Sequence, residues 1–416
     1  MTHSDDAAPF VLTEHELSLP LDHDDPDGET IDIFAREVAA NDGRDRPFLV
    51  YLQGGPGQEA PRPVATPAQP SWLGRALRDY RVLMLDQRGT GRSTPFGAGP
   101  QLPPPQQADY LSHLRADAIV RDAECFRAHL GVDRWSVLGQ SFGGFCALRY
   151  LTDAPDSLRE AYFTGGLPPV DRPVDEIYAA TFSVMRGKNQ TYHRRYPEDR
   201  QRLHRVLELC AAGEVTLPDG DVVTPRRFRT IGNRLGMHGG AEELHHLLER
   251  DPRSPAFCYD LAAAMPFTGR NPLYAVIHES SYSDGHPTRW SAQRVMPDDF
   301  HDDLTLLTGE HIFDWHFEDC SDLAPYAELA GILAEHEWPR LYDAEVLASV
   351  DVPCAAAVYA DDPFVERELS KETAQLLPRM RTWVTPDYEH NGLRVAGELI
   401  LDRLFGLARD QQRATG

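Results

Sequence analysis

Apolar and polar positions alternate in part at period two over residues 10–20, beginning Phe10-Val11-Leu12, and again over 30–38, through Thr30-Ile31-Asp32-Ile33-Phe34-Ala35. Asp25-Pro26-Asp27-Gly28 between them is turn chemistry, so the pair predicts an antiparallel hairpin. The pattern then changes. Phe48-Leu49-Val50-Tyr51-Leu52 and Val82-Leu83-Met84-Leu85 are continuous apolar runs, as expected of strands buried on both faces of a sheet. Trp72-Leu73-Gly74-Arg75-Ala76-Leu77 between them predicts a short helix, the Pro- and Gly-rich stretch 94–106 a surface loop, and the apolar period over 109–130 a helix ending at Gly131.

Another apolar run, Trp135-Ser136-Val137-Leu138, leads through Gly139-Gln140-Ser141-Phe142-Gly143 into the helical pattern 144–151, and 158–164 predicts a further strand. From about residue 170 to 345 this rhythm stops and the pattern is largely helical. It resumes with a strand at 352–359, a helix at 365–377, a strand at 381–384 and a last helix at 393–408. Alternating strands and helices imply an α/β protein with a mostly parallel sheet. The expected organisation is therefore a catalytic domain from 1–169 and 346–416, with 170–345 a helical insertion over the carboxyl edge of the sheet, where open α/β sheets hold their ligands.

Composition narrows the functional classes. With 41% hydrophobic and 25% charged residues the chain is of globular type. The polar, acidic start at Met1-Thr2-His3-Ser4-Asp5-Asp6 leads into no apolar signal-like core, and no stretch is long and apolar enough to span a bilayer. Six cysteines without a C-x-x-C pair fit a reducing compartment, so a cytoplasmic location is expected. A formal charge of −24 repels phosphate backbones and anionic lipid, which argues against nucleic-acid and membrane partners.

The candidate chemistry centres on Ser141. A G-x-S-x-G pentapeptide between a strand and a helix is the context of a nucleophile elbow, a sharp turn that lifts the serine hydroxyl above the sheet edge. Gly139 and Gly143 allow the close backbone approach such a turn needs. A serine hydroxyl needs a neighbouring base, itself oriented by a third group. Both types of partner follow the insertion: an acidic pair, Asp361-Asp362, at the end of the 352–359 strand, and His390 in the loop after the last strand. The nucleophile, acid, histidine order is that of the α/β-hydrolases. Backbone N–H groups for an oxyanion are expected from Phe142, next to the nucleophile, and from Gly54 or Gly55 in Gln53-Gly54-Gly55-Pro56-Gly57. Asp86-Gln87-Arg88-Gly89-Thr90-Gly91-Arg92-Ser93 lacks phosphate-loop spacing and is expected to brace the active-site face.

Taken together, Gln-Gly-Gly-Pro-Gly (53–57), Asp-Gln-Arg-Gly-Thr-Gly-Arg-Ser (86–93), Gly-Gln-Ser-Phe-Gly-Gly (139–144), Tyr-Ala-Asp-Asp (359–362) and Glu-His-Asn-Gly (389–392) resemble the proline iminopeptidases, closest to their longer branch with an enlarged cap. The resemblance implies an α/β-hydrolase fold with an inserted helical cap. It further implies a serine exopeptidase releasing N-terminal proline without a cofactor, and selects Asp362 as the triad acid. Cap carboxylates for the substrate's free amine fall at Glu279 and Glu310. Gln53 stands where many relatives carry His, and Thr164 where the shorter branch tends to carry Arg.

Rival readings are an esterase or amidase using the same triad, or a non-catalytic ligand-binding member of the fold. Histidines 238, 245, 246, 301, 311 and 316 invite a metal, but the adjacent pair His245-His246 faces two directions on a helix and no H-E-x-x-H occurs, so no metal is expected. Cys146 reads as a small core residue. The aromatics Trp290, Phe313, Trp315, Phe317 and Trp338 are candidates for cap core or for a wall of the proline pocket.

Overall fold

Strand patterning of both kinds is realised in one sheet. The computed structural model describes residues 2–3, 9–65, 68–97 and 102–415. Its strands are β1 (Thr2–His3), β2 (Phe10–Pro20), β3 (Thr30–Ala40), β4 (Phe48–Leu52), β5 (Arg81–Leu85), β6 (Trp135–Gln140), β7 (Leu158–Thr164), β8 (Cys354–Tyr359) and β9 (Met380–Thr385). They form a nine-stranded sheet in the order β1-β2-β3-β5-β4-β6-β7-β8-β9. The expected hairpin is β2 against β3, antiparallel from Phe10 opposite Ala40 to Pro20 opposite Thr30. From β5 to β9 every pairing is parallel.

The unbroken apolar runs follow from burial on both faces. Phe48, Val50 and Leu52 of β4 join one core with Leu83 and Leu85 of β5, while Leu49 and Tyr51 join a second core with Val82 and Met84. Alternate residues of a strand point to opposite faces, so one strand supplies both layers. Ile119 and Phe126 of helix Ala116–His129 and Phe145 and Leu151 of helix Phe142–Asp153 cover the first face. Leu73 and Leu77 of helix Leu73–Asp79 and Leu401, Leu404 and Phe405 of helix Gly397–Thr415 cover the other.

Between β7 and β8 lies the long helical stretch, in which the described residues carry no strand of the sheet, only an isolated bridge between Thr216 and Val222. The boundary expected at 345 falls inside helix Ala344–Ser349.

Three local expectations are corrected. Within 94–106, positions 98–101 lie outside the described residues, and Pro104 opens helix Pro104–Ser112, a first-turn position where its missing N–H costs nothing. The helix expected over 109–130 is two, broken at His113–Arg115: Arg115 is extended and its buried guanidinium donates to the carbonyls of Ser280, Ser283 and Pro339 in the insertion. A tertiary contact therefore overrides a continuous helical period. The last helix is interrupted at Ala396, after a short turn whose Leu393 and Arg394 carbonyls accept from Ser71 Oγ.

Candidate active site

β6 delivers Ser141 to the carboxyl edge of the sheet, where the chain turns at once into helix Phe142–Asp153. Ser141 takes φ 53° and ψ −126°, a conformation that costs on the order of 1–3 kcal/mol for a residue with a side chain. Its N–H donates to the Thr164 carbonyl at 3.1 Å and its own carbonyl accepts from Gly144 N–H at 2.7 Å, which holds the turn. The glycines are steric requirements: a Cβ on Gly139 would lie 2.3 Å from the Gly143 carbonyl oxygen, and one on Gly143 would lie 1.9 Å from that of Leu52.

Across the sheet edge, His390 Nε2 lies 2.9 Å from Ser141 Oγ, and His390 Nδ1 lies 2.7 Å from Asp362 Oδ2. The other carboxylate oxygen of Asp362 accepts from the N–H groups of Phe364 and Val365, at 2.9 and 3.1 Å. Asp362 is 1% exposed, whereas Asp361 points to solvent. The acid beside the imidazole is thus Asp362, one of the two left open by the residue pattern. Burial lowers the His390 pKa, but the Asp362 charge and hydrogen bond, with a further contribution from Glu310, reverse this and raise it above the ordinary histidine value. The Phe364 ring meets the imidazole edge-on at 4.9 Å.

The loop after β4 packs against the elbow. A Cβ on Gly54 would lie 2.6 Å from Gln140 Oε1 and 2.9 Å from Ser141 Cβ, so the Gly54-Gly55 backbone approaches Ser141 more closely than a residue with a side chain could. Phe142 N–H belongs to the first helical turn, whose amides have no partner within the helix. Gln53 accepts from Tyr51 OH at 2.8 Å and its carbonyl accepts from Gln87 at 2.9 Å, a loop-shaping role. The 86–93 loop is a brace. Asp86 takes both guanidinium nitrogens of Arg62 at 2.9 Å, and Arg88 pairs with buried Asp122 while donating to the Leu21 and His113 carbonyls.

Within the insertion the two expected glutamates sit in different surroundings, and only Glu310 acts on His390. Glu279 is buried and accepts from Ser291 N–H at 3.2 Å and Ala292 N–H at 3.0 Å, with Thr288 also bonded to it. Burial nevertheless pushes its pKa up to about 7. Glu310 bonds the Tyr274 hydroxyl and lies 3.4 Å from His278 Nε2, and His278 in turn faces the Tyr178 hydroxyl at 3.3 Å. Burial raises the Glu310 pKa, but His278, His390 and Tyr274 outweigh it and hold the carboxyl below its usual range. One carboxylate therefore supports the backbone at Ser291–Arg294, while the other is biased toward its charged form and lies within electrostatic reach of the His390 imidazole.

Residue reading passed over His278, Tyr274 and Tyr178. The only signal for His278 was its place beside Glu279 in Val276-Ile277-His278-Glu279. It also passed over the contact of the insertion with the histidine loop: His390 N–H donates to the Gly236 carbonyl at 3.0 Å, and Asn391 Oδ1 accepts from His238 N–H at 2.8 Å. Thr164 is fully buried under the elbow, its carbonyl holding Ser141. Phe313 and Phe317 are buried in the insertion, with half-buried Trp315 and Trp290 packed on them, while Trp338 is buried under the Arg115 guanidinium and, with Trp290, lines a small cavity beside Glu279. Rings around the triad and Glu310 come instead from Tyr178, Tyr274, Tyr282 and Phe364, with Tyr282 OH donating to the Phe364 carbonyl at 3.0 Å. His311 stacks on Phe182 at 3.8 Å, and burial lowers the pKa of both His311 and His316 to about 3. Cys146 is fully buried, and burial raises its thiol pKa well above the usual value.

A hydroxyl held by a buried imidazole, on a strained turn at the edge of a parallel sheet, is the arrangement of the α/β-hydrolase class of serine hydrolases. A family model described as the alpha/beta hydrolase fold matches residues 47–394. Proline iminopeptidase of Aeromonas sobria is 46% identical over 417 residues, covering 95% of this chain and 96% of its own. One from Aspergillus aculeatus is 33% identical over 427 residues, covering 96% of this chain and 94% of its own. The chain belongs to the proline iminopeptidase family of serine hydrolases. Among solved structures, the Mycobacterium smegmatis proline iminopeptidase superposes with a TM-score of 0.47 at 16% identity, over 96% of this chain and all of that one. No helix among the described residues is long and apolar enough to cross a membrane.

Proposed function

We propose that this protein releases N-terminal proline from peptides or prolyl amides through an acyl-enzyme. Ser141 Oγ attacks the prolyl carbonyl while His390 Nε2 takes its proton. The imidazolium then gives the proton to the leaving amine, and Asp362 fixes the tautomer and stabilises the charged ring. N–H groups of Phe142 and of Gly54 or Gly55 hold the oxyanion. Water repeats the sequence to free proline. The chain's own groups suffice for each step.

The observation that carries the exopeptidase reading is Glu310: an ionised, largely enclosed carboxylate whose charge reaches His390. A prolyl ammonium entering so dry a site needs a countercharge, because an unpaired buried charge is costly. Glu310 supplies it at neutral pH. Glu279, already holding backbone amides, is the supporting member of the pair. The helical insertion serves as the substrate-selecting cap, since it contributes Glu310 and its partners.

Steady-state hydrolysis of a prolyl arylamide, its N-acetylated twin and the alanyl analogue tests this, with Ser141→Ala as the blank. Preferential cleavage of the free prolyl compound is expected. Equal cleavage of the blocked twin would replace the reading with that of a general esterase or amidase.

A further inference from the structure

From the geometry of the cavity on the far side of the oxyanion loop, we infer that it receives the C-terminal carboxylate of a short leaving peptide, with Arg394 as the cation that binds it. This rests on the prolyl-peptidase reading above. The cavity, of about 550 Å³, is bounded by the two chain segments that run on from the catalytic groups. One wall is Gln53 and the 58–62 stretch, flanking the Gly54-Gly55 turn; another is Arg394, just beyond His390. A substrate whose ammonium is held at Glu310 and whose carbonyl lies at Ser141 must send its leaving portion past His390, which protonates the departing nitrogen. In this proposal that portion runs between Gln53 and Arg394 into the cavity.

The charges there are unequal in availability. Arg62 is engaged by Asp86 through both nitrogens, and Arg270 pairs with Glu59. Arg394 has no carboxylate within ion-pair distance among the described residues, although the chain carries a net charge of −24. Its backbone is pinned by Ser71 Oγ, 2.9 Å from the Arg394 carbonyl. Its charge acts on His390 on one side and on Tyr51, a wall of the cavity, on the other. Asn271 lines the same space and is committed to the helix behind it, its Oδ1 accepting from Tyr274 N–H at 3.2 Å. A guanidinium with no carboxylate partner at the end of the leaving-group path is chemistry for a carboxylate. A cleaved dipeptide or tripeptide presents that group within a few residues of the scissile bond; a long chain does not.

The test compares Pro-Gly with its C-terminal amide at low ionic strength and reads the kcat/KM ratio of acid to amide within each variant, so that any general loss of activity cancels. Replacing Arg394 by Ala is expected to lower this ratio by about two- to fivefold, the scale of an exposed charge pair. Arg394→Lys is expected to restore part of it, and added salt to lower the ratio in the parent protein and in Arg394→Lys but not in Arg394→Ala. An unchanged ratio in Arg394→Ala, with prolyl arylamide still cleaved by the parent protein, overturns the carboxylate subsite and leaves the activity standing. An inert parent protein on prolyl arylamide removes the activity reading and this inference together.

Discussion

The sheet edge and the cap that covers it hold their polar groups by opposite means. At the edge, Ser141, Asp362 and His390 sit immediately after β6, after β8 and in the loop after β9, so the backbone alone delivers each to its place. In the cap, Glu279 and Glu310 are separated by turns and short helices, and their roles diverge through tertiary contacts. Glu279 caps Ser291 and Ala292, while Glu310 joins His278 and Tyr274. The difference teaches that side chains at strand ends are placed by the backbone itself, whereas two similar carboxylates in the insertion come to differ through their partners, backbone N–H groups for Glu279 and side chains for Glu310.

The largest effect that probes this contrast is at the edge. Ser141→Ala should lower kcat for a prolyl arylamide by on the order of 10⁴–10⁶ with folding unchanged by circular dichroism. Asp362→Asn should cost about 10⁴ by mispositioning the tautomer, whereas Asp361→Asn, changing an exposed side chain, should leave the rate near that of the parent protein. Comparable losses from both would dissolve the distinction between the acids. Gly54→Ala places a methyl group against Gln140 and Ser141, and loss of an oxyanion donor predicts a fall of about 10²–10³ in kcat.

Much of the edge was legible for this reason. Strand runs, the elbow pentapeptide and the position of His390 after the last strand are local signals that the backbone converts directly into geometry. The residue pattern left Asp361 and Asp362 both open and only the family resemblance selected Asp362, because alternation past a strand end does not say which neighbour turns inward; the N–H groups of Phe364 and Val365 do. In the cap, period and composition marked helices but not partners. Nothing local in Glu279-Ser280-Ser281 announces that Ser291 and Ala292 will return to claim its carboxylate, and the break at Arg115 is set by the Ser280 and Ser283 carbonyls, distant in sequence.

A smaller effect links the two regions through the pH profile. The general base must be neutral, and His390 titrates above the ordinary histidine value because Asp362 and Glu310 offset its burial. Activity should therefore fall on the acid side at a pH above the usual imidazole value. Removing the Glu310 charge should move that limb of kcat/KM toward lower pH, since one stabiliser of the imidazolium is lost. A limb that stays in place in Glu310→Gln would show that the cap carboxylate and the triad are electrically independent. The smallest expected effect is at the cap's hold on the histidine loop: Asn391→Ala, which frees His238 N–H, should cost only a few-fold in kcat.

The central claim, that one of the two cap glutamates reads the substrate's amine, is tested most directly by the ratio of kcat/KM for a prolyl arylamide to that for a simple acyl ester in Glu310→Gln and Glu279→Gln. The account predicts that Glu310→Gln collapses this ratio while Glu279→Gln lowers thermal stability and both activities together, leaving the ratio near its parent value. A ratio that survives in Glu310→Gln and collapses in Glu279→Gln would contradict it and return the amine to the carboxylate held by Ser291 and Ala292.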